Sequence, residues 1–91
     1  MDKEEAKTIL STELDNYKKL SYSDLLYLLD TQDTKEVQSF SGVIYQLEFQ
    51  VIWDDKKGGN LRVMGAIDDG RLRSLFPLTN DFILSPDGSF V

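Results

Sequence analysis

The stretch VIYQLEFQVIW, residues 43–53, decides the fold of this chain. Its apolar side chains fall at every second position from Val43 to Trp53 and alternate with more polar neighbours. Alternation of period two over this length is typical of a half-buried β-strand. The pattern recurs in LRVMGAID, residues 61–68, and in RLRSLF, residues 71–76. We therefore predict three long antiparallel strands.

Turn signals join these strands into a meander. The loop of residues 54–60 contains two adjacent glycines, and the pair Asp69-Gly70 predicts a tight type I′ hairpin. That hairpin would pair Val63 with Phe76. The third long strand is then the direct neighbour of the second.

The segments on either side are shorter and less regular. Asp30–Lys35 is predicted to form a polar linker, and Glu36–Phe40 a short strand that turns back at a Ser-Gly pair. Pro77 ends the third long strand or marks an edge. Phe82–Leu84 follows as a last short apolar piece.

Two helices are predicted to precede the sheet. Over about residues 2–19, apolar side chains recur at spacings of three and four, which places them on one helix face. They are Ala6, Ile9, Leu10, Leu14 and Tyr17. Ser21 and Asp24 predict a variant capping box for a second helix from Tyr22 to about Leu29. The leucines of this second helix would close one end of the core.

The predicted fold class is α+β. Residues 1–91 form a single domain in which two N-terminal helices pack on a curved antiparallel sheet of four to five strands. The core face of the sheet carries Tyr45, Leu47, Phe49, Val51, Trp53, Leu61, Val63, Ile67, Leu72 and Phe76. Gly65, opposite Ser74, leaves a gap in this face for a helix or for an aromatic ring such as Tyr45.

Composition excludes several kinds of chemistry. The chain has no cysteine, so disulfides, thiolate zinc sites and thiol nucleophiles are excluded. It has no histidine, the commonest general base and metal ligand. A net charge of −6 opposes binding to a phosphate backbone. No apolar run reaches the length of a membrane span. We expect an acidic cytoplasmic protein without cofactor, metal, nucleic acid, membrane contact or enzymatic activity.

The opposite face of the sheet, here called the outer face, mixes amides, charges and apolar groups. Its apolar members are Ile44, Ile52, Met64, Ala66 and Leu75. Two interpretations remain open. The face is solvated, with cross-strand pairs between Glu48 and arginines, or it is an interface for a protein partner, including a second copy in a homodimer.

Tyrosine and tryptophan side chains indicate a second candidate site. A pocket between helix and sheet would be bordered by Tyr17, Tyr45 and Trp53. The alternative is that these rings form the rim of the core, where their polar atoms find partners.

Two acidic pairs, Asp54-Asp55 and Asp68-Asp69, suggest a metal site at first reading. In the predicted hairpin they lie more than about 20 Å apart, so one shared site is excluded. We interpret both as turn residues. Across the tight turn, Asp68 would face Arg71 in a cross-strand ion pair, the alternative being a ligand-gripping arginine.

Several phrases carry a resemblance to a known group of proteins. They are LSYSDL at 20–25, YQLE at 45–48, WDDKKGG at 53–59, IDDG at 67–70 and SPDGSFV at 85–91. Together they resemble a family of short uncharacterised bacterial proteins that is frequent in cyanobacteria. That family has no established activity, so the resemblance implies no catalytic residues. The order of two helices and a meander is also similar to cystatin-like and NTF2-like folds.

Three functions remain as hypotheses. The first is a non-enzymatic protein-interaction module, and the second is a small-ligand-binding domain of NTF2-like type. The third is an acidic inhibitor or immunity-type protein that binds a basic partner, an idea that rests on the net charge alone.

Overall fold

The computed structural model describes residues 1–70 and 77–91. The fold is α+β, and within these residues two helices precede an open antiparallel sheet of four strands. The strands follow one another in chain order across the sheet. The elements are α1 (Lys3–Lys18), α2 (Tyr22–Tyr27), β1 (Gln32–Gln38), β2 (Ile44–Trp53), β3 (Leu61–Asp68) and β4 (Leu78–Leu84).

Helix α1 forms as the apolar spacing predicts. Asp2 is the N-cap, and its side chain accepts a hydrogen bond from the Glu5 amide at 3.1 Å. The apolar stripe buries Ala6, Leu10 and Leu14 against the sheet. An amphipathic helix of this kind is stable because packing of its apolar face supplies what propensity alone does not.

Helix α2 begins with the predicted capping box. The Ser21 hydroxyl accepts from the Asp24 amide, and the Asp24 carboxylate accepts from the Ser21 amide, each at 3.1 Å. The helix ends at Tyr27, earlier than expected. Tyr22 ties the helix to the β2–β3 loop by donating to the Gly59 carbonyl at 2.7 Å. In the described residues, neither helix has the length and apolar character needed to cross a membrane.

Strand β1 corrects the prediction of a polar linker at 30–35. The strand begins at Gln32 rather than Glu36, and nearly all of its residues are exposed. Two of its inward side chains, Asp33 and Lys35, make polar contacts with α1, and only Val37 packs against the core. The Tyr17 hydroxyl donates to Asp33 at 2.7 Å, and the Lys35 ammonium lies 2.9 Å from Glu13. A strand held in this way shows no apolar alternation.

The turn from β1 to β2 occurs at the predicted Ser-Gly pair. Ser39 donates its amide to the Val43 carbonyl at 2.9 Å, and the Gly42 amide donates to the Ser39 carbonyl at 3.0 Å. Gly42 has a φ of +88°, as the last residue of a three-residue hairpin loop requires. Because ladder bonds alternate, the odd-numbered residues of β1 bond to β2 and the even-numbered ones face the open edge.

Burial confirms the predicted faces of β2 and β3. Alternate residues of both strands are buried beneath α1, and the residues between them face outward. The buried side chains are Tyr45, Leu47, Phe49, Val51, Leu61, Val63 and Ile67. Trp53 is only partly buried and packs at the margin of this core. Leu72 and Phe76, also predicted for the core face, lie outside the described residues.

Strand β4 corrects the predicted topology. β3 pairs with β2 on one side and with Leu78–Leu84 on the other, so Val63 lies opposite Phe82 rather than Phe76. The predicted strand over residues 71–76 lies outside the described residues. Over residues 61–67, β3 has β2 on one edge and β4 on the other, so Phe82 takes the position opposite Val63 that was predicted for Phe76. Pro77 directly precedes β4, a position that suits a residue with no amide to donate.

Gly65 lies next to the Leu10 side chain of α1, where there is little space for a side chain. Its strand neighbours are Phe49 and Asn80, not the predicted Ser74. A Cβ atom at this position would lie 2.9 Å from Cδ1 of Leu10 and 2.9 Å from Cε1 of Phe49. The gap predicted at Gly65 is therefore filled by the helix and by Phe49, while Tyr45 packs elsewhere.

We predict that Gly65→Ala destabilises the protein. In an ordinary strand this change is favourable, but here the added methyl group collides with two packed side chains. The expected cost is about 1–3 kcal/mol in the free energy of unfolding, measured by urea denaturation.

The double variant Leu10→Ala/Gly65→Ala is the control. Shortening Leu10 makes room for the new methyl group. The double variant should therefore lose less unfolding free energy than Leu10→Ala and Gly65→Ala lose together. Additive costs, or a Gly65→Ala variant as stable as wild type, would contradict the close approach.

Candidate functional site

The outer face is the first candidate site. Strand alternation places four of its five predicted apolar residues there: Ile44, Ile52, Met64 and Ala66. The fifth, Leu75, lies outside the described residues. The register across the sheet adds Thr79, Asp81 and Ile83 of β4 to this face.

A shallow groove of about 350 Å³ crosses the middle of the outer face. Its apolar floor comes from Met64, which is 39 % exposed, and from the short side chain of Ala66. Its polar lining comes from Glu48, Gln50, Thr79 and Asp81. The groove therefore has a narrow apolar strip between two carboxylates.

The predicted apolar residues do not form one continuous patch. Ile44 and Ile52 are eight residues apart on β2, which places their Cα atoms about 26 Å apart at about 3.3 Å per residue. Neither lines the groove that Met64 and Ala66 share. Ile83, which lies beside Arg62 in the register, was missed because the alternation of residues 71–76 favoured the wrong segment as the neighbour of β3.

Carboxylates outnumber cationic groups on the described outer face. Arg62 lies between Asp54 and Asp81 and donates to both; the shorter contact to Asp54 is 2.7 Å from Nη2. The hydrogen bonds to Asp54 and then to Asp81 raise the pKa of Arg62, so its charge is permanent and already paired. The acidic groups of this face are Glu36, Glu48, Asp68 and Asp81.

The three side chains predicted for a helix–sheet pocket do not meet. Tyr45 and Trp53 both face inward, but they lie at opposite ends of β2. Tyr17 lies between them, with its ring 4.9 Å from that of Phe49. Eight residues of extended strand separate Tyr45 from Trp53, about 26 Å at about 3.3 Å per residue. Tyr17 and Trp53 lie at the margin of the core, whereas Tyr45 is fully buried within it.

Tyr17 borders a small groove of about 370 Å³ together with Leu28, Asp33 and Phe49. Burial, and then the hydrogen bond to Asp33, raise the pKa of the Tyr17 hydroxyl. The proton of the Tyr17 hydroxyl is therefore engaged in the hydrogen bond to Asp33 that holds β1 to α1. Trp53 does not line this groove.

Tyr45 is buried at the other end of α1. Its hydroxyl donates to the Glu5 carboxylate at 2.8 Å, and the Ser41 hydroxyl donates to the same oxygen at 2.9 Å. These bonds, with that of Tyr45 the stronger cause, lower the pKa of Glu5. Burial, and then the bond to Glu5, raise the pKa of Tyr45 to about 12. The cluster fastens the start of α1 to the β1–β2 hairpin.

The acidic pairs behave as turn and ion-pair residues. Asp54 binds Arg62, while Asp68 accepts from the Gly70 amide at 2.7 Å. Asp69 lies 3.6 Å from the amino group of Met1. Among residues 1–70 and 77–91, no three carboxylates come together as a metal site would require. The predicted partner of Asp68, Arg71, lies outside these ranges.

No family model, curated protein or solved structure matches the chain. The resemblance to short cyanobacterial proteins and the similarity to cystatin-like and NTF2-like folds therefore stay predictions. The assignment of a site depends on the geometry alone.

We predict that Tyr45→Phe raises the pKa of Glu5 toward its ordinary value of 4.5. A carboxylate with a lowered pKa stabilises the fold above its unfolded-state pKa, and this contribution is lost as pH falls through the folded-state value. The stability gap between wild type and Tyr45→Phe should therefore be full above about pH 4.5 and shrink below it. Carboxyl NMR titration of Glu5 and urea unfolding at several pH values measure both effects.

Tyr22→Phe is the matched control. Its hydroxyl donates to a backbone carbonyl, not to a carboxylate, so its cost should not change with pH over the same range. A Glu5 pKa that is the same in wild type and Tyr45→Phe would contradict the proposed cause.

Proposed function

We propose that this protein is a non-enzymatic, cytoplasmic protein-interaction module that binds a positively charged partner through its outer face. The observation that carries the proposal is the groove on that face. Its apolar strip of Met64 and Ala66 runs between the carboxylates of Glu48 and Asp81. A chain without cysteine and histidine is also poorly equipped for nucleophilic and acid–base catalysis.

The groove suits an extended segment with alternating side chains. An aliphatic side chain would lie on Met64 and Ala66. Lysines or arginines on either side would pair with the remaining oxygen of Glu48, which accepts from Gln32, and with that of Asp81, which binds Arg62. Gln50, also part of the lining, would donate or accept a further hydrogen bond. The net charge of −6 would speed the encounter with such a partner and make it sensitive to salt.

A second copy of the chain is a poorer occupant of the same face. Two acidic faces pressed together would bring like charges into contact, which costs several kcal/mol and opposes association. This argues against the homodimer through Ile44, Ile52, Met64, Ala66 and Leu75 that the sequence left open. An acidic inhibitor of a basic protein is one form of the present proposal. The small-ligand alternative loses the shared pocket of Tyr17, Tyr45 and Trp53 on which it was based.

We predict that a short peptide of alternating lysine and valine binds the groove. In an NMR titration of the full chain, amide shifts should concentrate at Glu48, Met64 and Asp81. They should weaken at high salt, because the attraction between exposed charges is screened. The same peptide with glutamate in place of lysine should produce no comparable shifts.

Met64→Arg and Ile44→Arg form a matched pair of variants. Both place the same cation on the outer face at exposed positions, so neither should change the urea midpoint greatly. Met64→Arg blocks the groove and should abolish peptide binding, whereas Ile44→Arg should leave it nearly intact. Binding that survives Met64→Arg, or shifts confined to the α1 side of the sheet, would overturn the proposed site.

A further inference from the structure

Strand β1 is an edge strand with an unused row of hydrogen-bonding groups. In the described part of the chain it pairs with β2 alone. The amides and carbonyls of its even-numbered residues point away from β2, as the bond from Ser39 to Val43 implies. Such a row is a template for another strand. The opposite edge is covered in part, because the segment after β4 turns back against its last residues and the Val91 amide donates to the Ile83 carbonyl at 3.0 Å.

We propose that β1 pairs antiparallel with β1 of a second copy about a two-fold axis at Thr34. The two sheets then become one continuous sheet, with the α1 helices of both copies on the same side. In a symmetric antiparallel pair, residues that lie opposite each other face the same side of the sheet. The two-fold axis must therefore pass midway between two copies of the same residue. The proposal is independent of the groove on the outer face.

Charge complementarity selects Thr34 as the centre. In that register Asp33 lies opposite Lys35 of the second copy, and Gln32 lies opposite its Glu36. Symmetry forms each of these pairs twice. Thr34 of one copy lies opposite Thr34 of the other, and two threonines form a favourable cross-strand pair. Each charged residue of β1 thus faces an opposite charge or an amide.

The neighbouring registers oppose like charges. An axis at Asp33 sets two aspartates against each other, an axis at Lys35 sets two lysines, and an axis at Glu36 sets two glutamates. Charged residues on an exposed edge usually protect a protein from aggregation. Among the four registers centred on residues 33 to 36, the same charges leave only the one centred on Thr34 free of like-charge pairs.

Contacts within one copy already hold the inward pair in place. Glu13 fixes the ammonium of Lys35 at 2.9 Å, and Tyr17 donates to Oδ2 of Asp33 at 2.7 Å. Oδ1 of Asp33 is then available to Lys35 of the second copy. The dimer would complete a row of polar contacts that runs from Glu13 and Lys35 of one copy to Asp33 and the neutral Tyr17 hydroxyl of the other.

Two exposed aromatic residues flank β1. Phe40 is fully exposed and Tyr27 is 87 % exposed. Tyr27 ends α2 before the strand, and Phe40 lies in the β1–β2 loop after it. An apolar groove of about 570 Å³ between α1 and β1, lined in part by Ile9 and Val37, opens beside Phe40. The second copy would cover it.

The first test is the solution mass of the full chain over a wide dilution series, by light scattering on a sizing column. Wild type should show a dimer that dissociates on dilution. Thr34→Pro removes an amide that faces the second copy and leaves the bonds to β2 intact, because proline is tolerated where the amide faces outward. It should be monomeric at every concentration and retain a cooperative urea transition.

Charge variants test the register. Gln32→Glu creates two like-charge pairs with Glu36 and should weaken the dimer roughly tenfold. Gln32→Lys should strengthen it by a similar factor. The double variant Gln32→Glu/Glu36→Lys restores opposite charges and should recover dimerisation. Residues 32 and 36 lie opposite each other only when the axis is at Thr34, so this recovery would identify the register.

A wild-type chain that stays monomeric at high concentration would overturn the dimer, as would a dimer that survives Thr34→Pro. A dimer lost in Met64→Arg but not in Thr34→Pro would place the contact on the outer face instead. Failure of the lysine–valine peptide to bind, with the dimer intact, would overturn the proposed function and leave the pairing of β1 standing.

Discussion

Leu10 of α1 lies against Gly65 and the ring of Phe49, and this contact sets how closely the helix approaches the sheet. A side chain at Gly65 would lift the helix and expose the apolar groups that surround it. Because α1 is held this closely, it covers one face of the sheet and leaves the other open. The polar contacts of Tyr17 with Asp33, at one end of the helix, depend on the same spacing.

Residue patterns predict those parts of the fold in which apolar burial decides the structure. The stripe of α1, the capping box at Ser21 and the alternation of β2 and β3 each have a local cause that can be read from the chain. Strand β1 could not be found this way, because its inward residues pair with polar groups of α1, a contact between segments that are distant in sequence. The prediction that residues 71–76 are the neighbour of β3 has a similar origin. Alternation identifies segments able to pair but does not say which of two segments takes the edge of β3.

The candidate sites could be predicted only where the strands that carry them could be predicted. Met64 and Ala66 could be placed on the outer face because β2 and β3 alternate regularly. The groove between these residues and β4 could not be predicted. Thr79 and Asp81 belong to β4, which the sequence did not identify as the neighbour of β3. Tyr17, Tyr45 and Trp53 do not come together, and the reason is a different one. Residues that share a face of a long strand need not be near one another, and strand rise separates the two on β2 by about 26 Å.

Within the described residues, α1 leaves two surfaces uncovered, the acidic outer face and the edge of β1, and we propose that this edge is where the chain meets its own copy. Amide hydrogen exchange in dilute and concentrated solution tests this most directly. The amides of Asp33 and Lys35 bond to β2 and should be protected at both concentrations. Those of Thr34 and Glu36 should exchange quickly when dilute and become protected when concentrated. Fast exchange of Thr34 and Glu36 at both concentrations, or their protection in the dilute sample, would contradict the account.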